Sequence, residues 1–420
     1  MKKNDIKHRK KRKRKYFCIV KQISINKYTF RVFIIGIFLV NAVFMHASET
    51  SSEEDSIICS LITCSPYEKE IYSLYGHTAI RYKDLRRNQD WVFNYGVFNF
   101  KKPFFALRFA LGLTDYELGA VPYHLFIEEY KRQNRTVTEQ VLNLNHEEKI
   151  YLFKALVINL EPDNREYRYN YFTNNCTTKA RDMIERCIEG TVYYFHDSKS
   201  ELTYRKITDD YTAKHPWARF CNNLCLGLTA DTMLANGEWQ FLPDNLKADF
   251  SQVIVGNDSM QYQLVVQENI LLRQRVTQEE SSFVITPWMV FSMLLLLTVL
   301  LTWVEFKRNK HFLWLDVSLW AVLSVAGILL TVLFFSKHPT TSTNLQILIL
   351  NPIPLFFLHN IIRNRPTRFW KFEVGMIILF LIGAFFQEYA EGMLLLALCL
   401  LIRCVYNISG GTLPKLLNRQ

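Results

Sequence analysis

Charged residues are scarce in the last third of this 420-residue chain. Only 14 Asp, Glu, Lys and Arg residues lie within 283–406, whereas 59 lie within 32–282. Long apolar runs with so little charge are typical of membrane helices. The composition therefore excludes a disordered chain, and it also excludes a wholly soluble one.

Several motifs are also missing. The sequence has no internal repeat and no low-complexity linker, and it lacks the Cys-x-x-Cys and His-Glu-x-x-His spacings that indicate zinc sites. We therefore predict neither a metal nor a cofactor. No lipoprotein cleavage motif precedes Cys18 or Cys59, so we do not expect the chain to be a lipoprotein itself.

Positive charge is concentrated at the N-terminus. Residues 1–31 hold 13 Lys or Arg and one Asp, while the formal net charge of the whole chain is +11. The basic run 9–15 could be a nucleic-acid or nuclear-targeting patch, but the apolar segment 32–45 and the small residues Ala47 and Ser48 follow it. This order is the pattern of an export signal. We predict that residues 1–47 are a signal peptide or an N-terminal membrane anchor, and we expect no nucleic-acid partner.

Five apolar segments after residue 282 predict a bundle of about five transmembrane helices. They are residues 287–304, 312–335, 345–362, 374–386 and 393–405. Lys and Arg are concentrated in the loops after the first and third segments, and such loops stay cytoplasmic. Residues 48–282 are then external, as the signal also requires. We predict an external domain at 48–282, a transmembrane domain at 283–408 and a cytoplasmic tail at 409–420.

Three polar residues lie near the external ends of the predicted spans. His338 and Asn344 fall in one outer loop, and Asn351 lies within the third span. His338-Pro339 can be a turn and Asn351-Pro352 a helix kink whose polar groups neighbouring helices satisfy. Alternatively, these residues line a site where the external domain meets the bilayer.

The external domain has mixed secondary-structure patterns. Residues 57–63, 77–82, 91–94 and 136–142 are typical of strands, and the second and third of these can form a hairpin. Helical spacing covers 123–133, 146–159 and 177–187. Because strands and helices do not alternate regularly, the fold class is α+β.

A cysteine stands where the third of these helices should begin. Asn174 or Asn175 can cap the helix, and a helix N-terminus stabilises a thiolate at Cys176. A thiolate nucleophile still needs a base and a residue that orients the base. His77 at a strand edge and Asn94 on the neighbouring strand can fill these roles.

Other interpretations of these residues remain open. The external domain has six cysteines, and Cys59/Cys64 and Cys221/Cys225 could form disulfides, although connectivity does not follow from sequence. A structural role for Cys176 is the alternative to catalysis. Further histidines compete for the role of base: His124, His146, His196 and His215.

Several motifs together resemble the DUF4105 domain of Bacteroidota, the periplasmic domain of Lnb-type lipoprotein N-acyltransferases. The motifs are Leu61-Ile-Thr-Cys64, Tyr75-Gly-His-Thr-Ala-Ile-Arg81, Phe93-Asn-Tyr-Gly96, Tyr169-Asn-Tyr-Phe-Thr-Asn-Asn-Cys-Thr-Thr178, Tyr204-Arg205 and Pro216-Trp217. The resemblance covers most of 57–250, and the multi-span tail is also similar. It implies a papain-like catalytic domain of the permuted NlpC/P60 type, in which the histidine precedes the cysteine along the chain.

The resemblance also implies a reaction. Cys176 would take a fatty-acyl chain from a membrane phospholipid as a thioester, with His77 as base. The acyl chain would then pass to the α-amine of a diacylglyceryl-cysteine lipoprotein at the bacterial inner membrane. Asn94 is the expected third catalytic residue, with Tyr95 as the alternative. Further candidates for substrate binding or oxyanion stabilisation are Asn175, Arg181, His338, Asn344 and Asn351.

Two other functions fit the same residues. One is a membrane-anchored cell-wall cysteine peptidase of the NlpC/P60 kind, although five spans exceed what an anchor requires. The other is a non-catalytic membrane assembly module in which Cys176 is structural.

Overall fold

The computed structural model of the protein describes residues 56–70, 73–98, 103–195, 202–235, 237–256, 261–275, 284–363 and 368–410. The predicted signal or anchor at 1–47 and residues 411–420 of the predicted tail lie outside these residues.

A seven-stranded antiparallel sheet forms the centre of the N-terminal domain. Its strands are β1 (Ile57–Cys64), β2 (His77–Asp84), β3 (Gln89–Val97), β4 (Asp115–Pro122), β5 (Val137–Leu142), β6 (Glu166–Arg168) and β10 (Val265–Leu272), in the spatial order β10-β5-β1-β2-β3-β4-β6. The predicted strands at 57–63, 77–82, 91–94 and 136–142 are confirmed. Strand β1 lies inside the sheet and is buried along most of its length.

Helices cover both faces of the central strands. In chain order these helices are α1 (Phe105–Ala110), α2 (Tyr123–Gln133), α3 (His146–Leu160), α4 (Cys176–Glu185), α5 (Tyr204–Tyr211), α6 (Pro216–Cys225) and α7 (Pro243–Phe250). Because side chains alternate along a strand, Leu61 packs in one core with α3 and α4 while Ile62 packs in another with α2. A second sheet joins β7 (Thr191–Tyr193), β8 (Ile254–Gly256) and β9 (Gln261–Gln263). The domain is therefore α+β.

The C-terminal part is helical. Its helices are α8 (Pro287–Arg308), α9 (Leu313–Phe334), α10 (Pro354–Ile362), α11 (Phe369–Gly383) and α12 (Met393–Ile408). Within the residues described, α8 and α9 are the two helices that are long and apolar enough to cross a membrane.

The predicted third span is interrupted, which corrects the expectation of a helix over 345–362. A 3₁₀ turn at Leu345–Leu348 precedes the nine-residue helix α10. Pro352 has no N–H and cannot continue a helical hydrogen-bond ladder. The Asn351 side chain accepts a bond from the Ile353 N–H at 3.0 Å and donates one to the Leu348 carbonyl at 3.1 Å, so it holds the break.

A buried ion cluster joins three helices of this part, and sequence analysis missed it. Arg403 on α12 binds Glu305 on α8 and, at 2.7 Å, Asp316 on α9; all three side chains are fully buried. Charged side chains buried among apolar helices are tolerated when each pairs with an opposite charge.

Backbone hydrogen bonds connect the two parts of the chain. Gly227 and Leu228, just after α6, donate to the carbonyls of Thr340 and Thr343, both at 2.7 Å. A Cβ atom at Gly227 would lie 2.3 Å from the Thr343 carbonyl oxygen, so only glycine permits this approach. The Arg205 side chain is 1% exposed and donates to the Leu226 and Gly227 carbonyls, which fixes the loop.

Candidate active site

Helix α4 begins at Cys176 because Asn175 caps it. The Asn175 side-chain oxygen accepts hydrogen bonds from the N–H groups of Thr177 and Thr178 at 2.8 and 3.0 Å. The Thr178 hydroxyl in turn accepts a bond from the Asn175 N–H at 2.9 Å, which completes a capping box. The sulfur of Cys176 therefore lies at the positive end of the helix dipole.

His77 and Cys176 shift each other's titration toward the charged forms. Burial of Cys176 opposes ionisation, but the charge and hydrogen bonding of His77 lower the pKa of the thiol below its ordinary value. Burial likewise opposes the charged form of His77, whereas Cys176 and Asn94 raise the pKa of its imidazole. The arrangement favours a thiolate–imidazolium pair.

Two contacts fix the position of this pair relative to the sheet. The hydroxyls of Thr78 on β2 and Thr177 on α4 are 3.1 Å apart and buried, which ties the strand of His77 to the helix of Cys176. Gly96 on β3 has φ +92°, and a Cβ atom there would lie 3.6 Å from the Cys176 Cβ. The strand bulges between Asn94 and Val97, which brings its backbone against the cysteine.

Asn94, rather than Tyr95, lies beside the imidazole. His77 Nε2 is 3.1 Å from Asn94 Oδ1, so this nitrogen can donate to the amide and leave Nδ1 for the thiol. Tyr95 faces the other side of β3, where it is buried in the core and its hydroxyl donates to Asn159 Oδ1 at 2.6 Å.

Asn175 and Arg181, predicted to bind substrate or to stabilise an oxyanion, make structural contacts instead. The Asn175 amide donates both of its hydrogens, to the carbonyls of Tyr171 and Phe241, each at 2.8 Å. It therefore has no side-chain donor left for an oxyanion. Arg181 binds Asp182 and Gln240 and lines a cavity of about 500 Å³ whose lining includes neither His77 nor Cys176.

The three polar residues of the helical part have different surroundings. His338 approaches the site, because its Nε2 donates to the Phe109 carbonyl at 3.0 Å and its Nδ1 is 3.5 Å from the Asn170 amide nitrogen. Burial lowers the pKa of His338, in keeping with a neutral ring. Asn344 donates to the Leu224 carbonyl at 2.8 Å, so it joins the two parts of the chain. Asn351 lies at the helix break and does not contact the pair.

An aromatic cluster that the sequence did not predict lies beside the pair. It consists of Phe98, Phe105, Phe109, Tyr116 and Tyr169, whose neighbouring ring centroids are 4.1–6.4 Å apart. Burial raises the pKa of Tyr116, and the charge of Cys176 raises it further. The aromatic residues of the Tyr169–Phe172 motif were the available signal, but their partners just after β3, on α1 and on β4 are distant in sequence.

The other cysteines and histidines do not join this arrangement. All eight cysteines in the described part of the chain are free. Cys59 and Cys64 are five residues apart on β1, about 16 Å, which no disulfide can bridge. His124 is exposed, His146 opens α3 and His215 approaches Glu68, while His196 lies outside the residues described. Over those same residues, no group of three or more His, Cys, Asp or Glu side chains is arranged to hold a metal.

Comparison with protein families gives two matches. Residues 49–210, which include His77, Asn94 and Cys176, match the family described as the Lnb N-terminal periplasmic domain. Residues 278–411 match the Lnb transmembrane domain. No curated protein and no solved structure matches the chain.

Proposed function

Because the chain belongs to the Lnb family of membrane proteins with a periplasmic domain, we propose that it is a lipoprotein N-acyltransferase. One observation carries this proposal: Cys176 at a helix N-terminus is paired with His77, each shifting the pKa of the other toward the charged form, in a domain that is hydrogen-bonded to a membrane domain. The substrates are a phospholipid as acyl donor and a diacylated lipoprotein as acceptor, both held in the bilayer.

The first half of the reaction forms a thioester. His77 takes the thiol proton, and the Cys176 thiolate attacks the carbonyl carbon of a phospholipid ester. The ester C–O bond breaks, the imidazolium returns the proton to the leaving oxygen, and a lysophospholipid departs. The Cys176 N–H is at the first helical position, where no intrahelical partner exists, so it can stabilise the oxyanion. Asn94 orients His77 through Nε2.

The second half transfers the acyl chain to the lipoprotein. The free α-amine of the diacylglyceryl-cysteine attacks the thioester carbon and gives a proton to His77. The C–S bond breaks, an amide forms, and His77 returns a proton to the Cys176 sulfur. The same pair thus serves both halves, which is the logic of covalent catalysis.

We extend the proposal to the fold of the periplasmic domain and to the topology of the chain. A cysteine at a helix N-terminus with His and Asn on adjacent antiparallel strands is the constellation of papain-like enzymes, and we propose a permuted fold of that kind. We propose a catalytic domain at 48–282, a membrane domain of about five spans at 283–408 and a cytoplasmic tail at 409–420. The chain would lie in the inner membrane.

Thioester formation tests the proposal. The purified full-length chain in detergent is mixed with phospholipid but no amine, and the Cys176 peptide is analysed by mass spectrometry. We expect one added fatty-acyl mass and release of lysophospholipid. A diacylated lipopeptide with a free amine should discharge the adduct, and its N-acetylated form should not.

Matched variants sharpen this test. Cys176→Ala should form no adduct, and His77→Ala should slow adduct formation by about 10²- to 10⁴-fold, the usual contribution of positioned proton transfer. The exposed residues Cys221 and His124 provide controls as Cys221→Ala and His124→Ala, which should behave as the wild type. Absence of a lipid adduct together with cleavage of cell-wall muropeptides would replace the transferase with the peptidase. Failure of both reactions would favour the assembly module.

A further inference from the structure

Helix α1 presents an unusual apolar surface. It consists of Phe104, which caps α1, and of Leu107 and Phe109 within the helix; these residues are 79%, 47% and 38% exposed and are here called the Phe104 surface. Phe104 has φ +55°, in the left-handed region that bulky side chains rarely adopt. A strained backbone that holds a large apolar side chain in the open is more common at functional sites than elsewhere.

The Phe104 surface lies beside the end of a membrane helix. The Lys337 N–H donates to the Leu111 carbonyl at 3.0 Å, and His338 Nε2 donates to the Phe109 carbonyl. The two donors lie three and four residues after the end of α9, a helix long and apolar enough to span a bilayer. Because this end of α9 contacts the periplasmic domain, it is the periplasmic end. The surface is therefore at the level where the outer half of the bilayer meets water.

The aromatic cluster connects the Phe104 surface to the nucleophile. Phe109 belongs to both, and its ring is 6.4 Å from that of Tyr169, which stacks on Tyr116 at 4.1 Å. The backbone of β3 makes the same connection. Gly96 packs against Cys176. Two residues later, just after the strand, the ring of Phe98 stacks on that of Tyr116 at 5.0 Å. An apolar route thus runs from the membrane end of the domain to Cys176.

We propose that the Phe104 surface is inserted in the outer leaflet and receives one fatty-acyl chain of a membrane phospholipid, which crosses the aromatic cluster to reach Cys176. The proposal deepens the function proposed above and rests on it. An apolar face beside a basic residue is typical of helices that lie in the membrane interface, and Arg108, which also pairs with Asp115 at 3.4 Å, stands in the last turn of α1. The occupant is a lipid because the surface continues directly from the membrane domain.

The location of the surface can be measured without any chemistry at Cys176. The full-length chain is placed in nanodiscs containing phosphatidylethanolamine with a photoreactive diazirine in one acyl chain. After illumination, mass spectrometry maps the modified residues. We expect cross-links at 104–109. Leu85 is the control, because it is 57% exposed but lies in the turn at the other end of the β2–β3 hairpin from His77.

A rate measurement tests the route to the nucleophile. In phospholipid nanodiscs, the double variant Phe104→Ser/Leu107→Ser should form the thioester at least about tenfold more slowly, equivalent to about 1.4 kcal/mol of barrier. Leu85→Ser should leave the rate unchanged. Alkylation of Cys176 by iodoacetamide should be the same in all three proteins, which shows that the variants are folded around an intact thiol.

The outcomes separate the two proposals. An unchanged thioester rate in the double variant would overturn the route, and so would an absence of cross-links at 104–109. If the wild type forms no thioester although cross-links appear at the Phe104 surface, the lipid contact is supported and the acyltransferase proposal fails.

Discussion

At the level of single residues, Cys176 and His77 are coupled by opposite pKa shifts. Burial alone would favour a neutral thiol and a neutral imidazole, as it does for Cys64, whose pKa rises to about 12. The charge and hydrogen bonding of His77 reverse this preference for Cys176. The two cysteines of one domain therefore differ in pKa chiefly because Cys176 has His77 as its partner.

The pH dependence of alkylation tests this coupling. The rate of reaction of Cys176 with iodoacetamide, followed by mass spectrometry of its peptide, should reach half its maximum at a lower pH than for an ordinary cysteine. His77→Ala removes the positive partner and leaves burial to raise the pKa, so the midpoint should move to higher pH. Cys221, an exposed residue whose thiol is partly desolvated so that its pKa is raised, should keep its midpoint in both proteins. Identical Cys176 profiles in the wild type and the variant would show that the pair is not coupled.

Much of this pair could be predicted from sequence because its determinants are local. A hairpin brings His77 near Asn94, and an asparagine cap places Cys176 at a helix start. The choice between Asn94 and Tyr95 needed the structure, because it depends on which face of β3 lies beside the His77 imidazole. The contact of His338 with Phe109 spans 229 residues, and no periodicity in the sequence encodes such a pairing.

Among the elements, the start of α4 matters most for the candidate site. The Asn175 side chain accepts two helix N–H bonds and donates to two carbonyls, so it holds the helix to the preceding loop and to Phe241. The adjacent Asn174 is different, since its amide donates to the Arg168 carbonyl near the surface. These neighbours therefore form a matched pair for testing the cap.

Asn175→Ala should destabilise the domain by at least about 1–2 kcal/mol, because it removes the cap and leaves buried carbonyls without donors. The measurement is the Tm of the full-length protein in detergent, followed by tryptophan fluorescence. Asn174→Ala should lower the Tm clearly less. Equal Tm values for the two variants would contradict the role assigned to the Asn175 cap.

The elements that sequence analysis missed share a physical cause. Strand β10 pairs with β5 across more than 100 residues and is largely exposed, so it lacks the apolar alternation that identifies a strand. The segment 345–362 shows the opposite case, because its composition is predominantly apolar and predicts a span, but Pro352 and the Asn351 side chain interrupt the helix. In both cases the decisive interactions lie outside a local hydrophobic pattern.

At the scale of the whole molecule, the periplasmic and transmembrane domains are held together by direct hydrogen bonds. Gly227, Leu228 and Asn344 form a junction of backbone and amide contacts, and the buried Arg205 organises the loop that carries it. In the proposed transfer, this junction would hold Cys176 and His77 close to the membrane domain. A lipid ester would then reach the sulfur of Cys176 without leaving the bilayer.

The most direct measurement is the lipid content of a lipoprotein N-terminus. The chain is expressed in a bacterial strain depleted of its own lipoprotein N-acyltransferase, and the N-terminal lipopeptide of a reporter lipoprotein is analysed by mass spectrometry. The wild type and Cys221→Ala should add one fatty-acyl chain to the α-amine, and Cys176→Ala should leave the diacylated form. An N-acylated lipopeptide in the Cys176→Ala strain, or none with the wild-type protein present in the membrane, would contradict acyl transfer through Cys176.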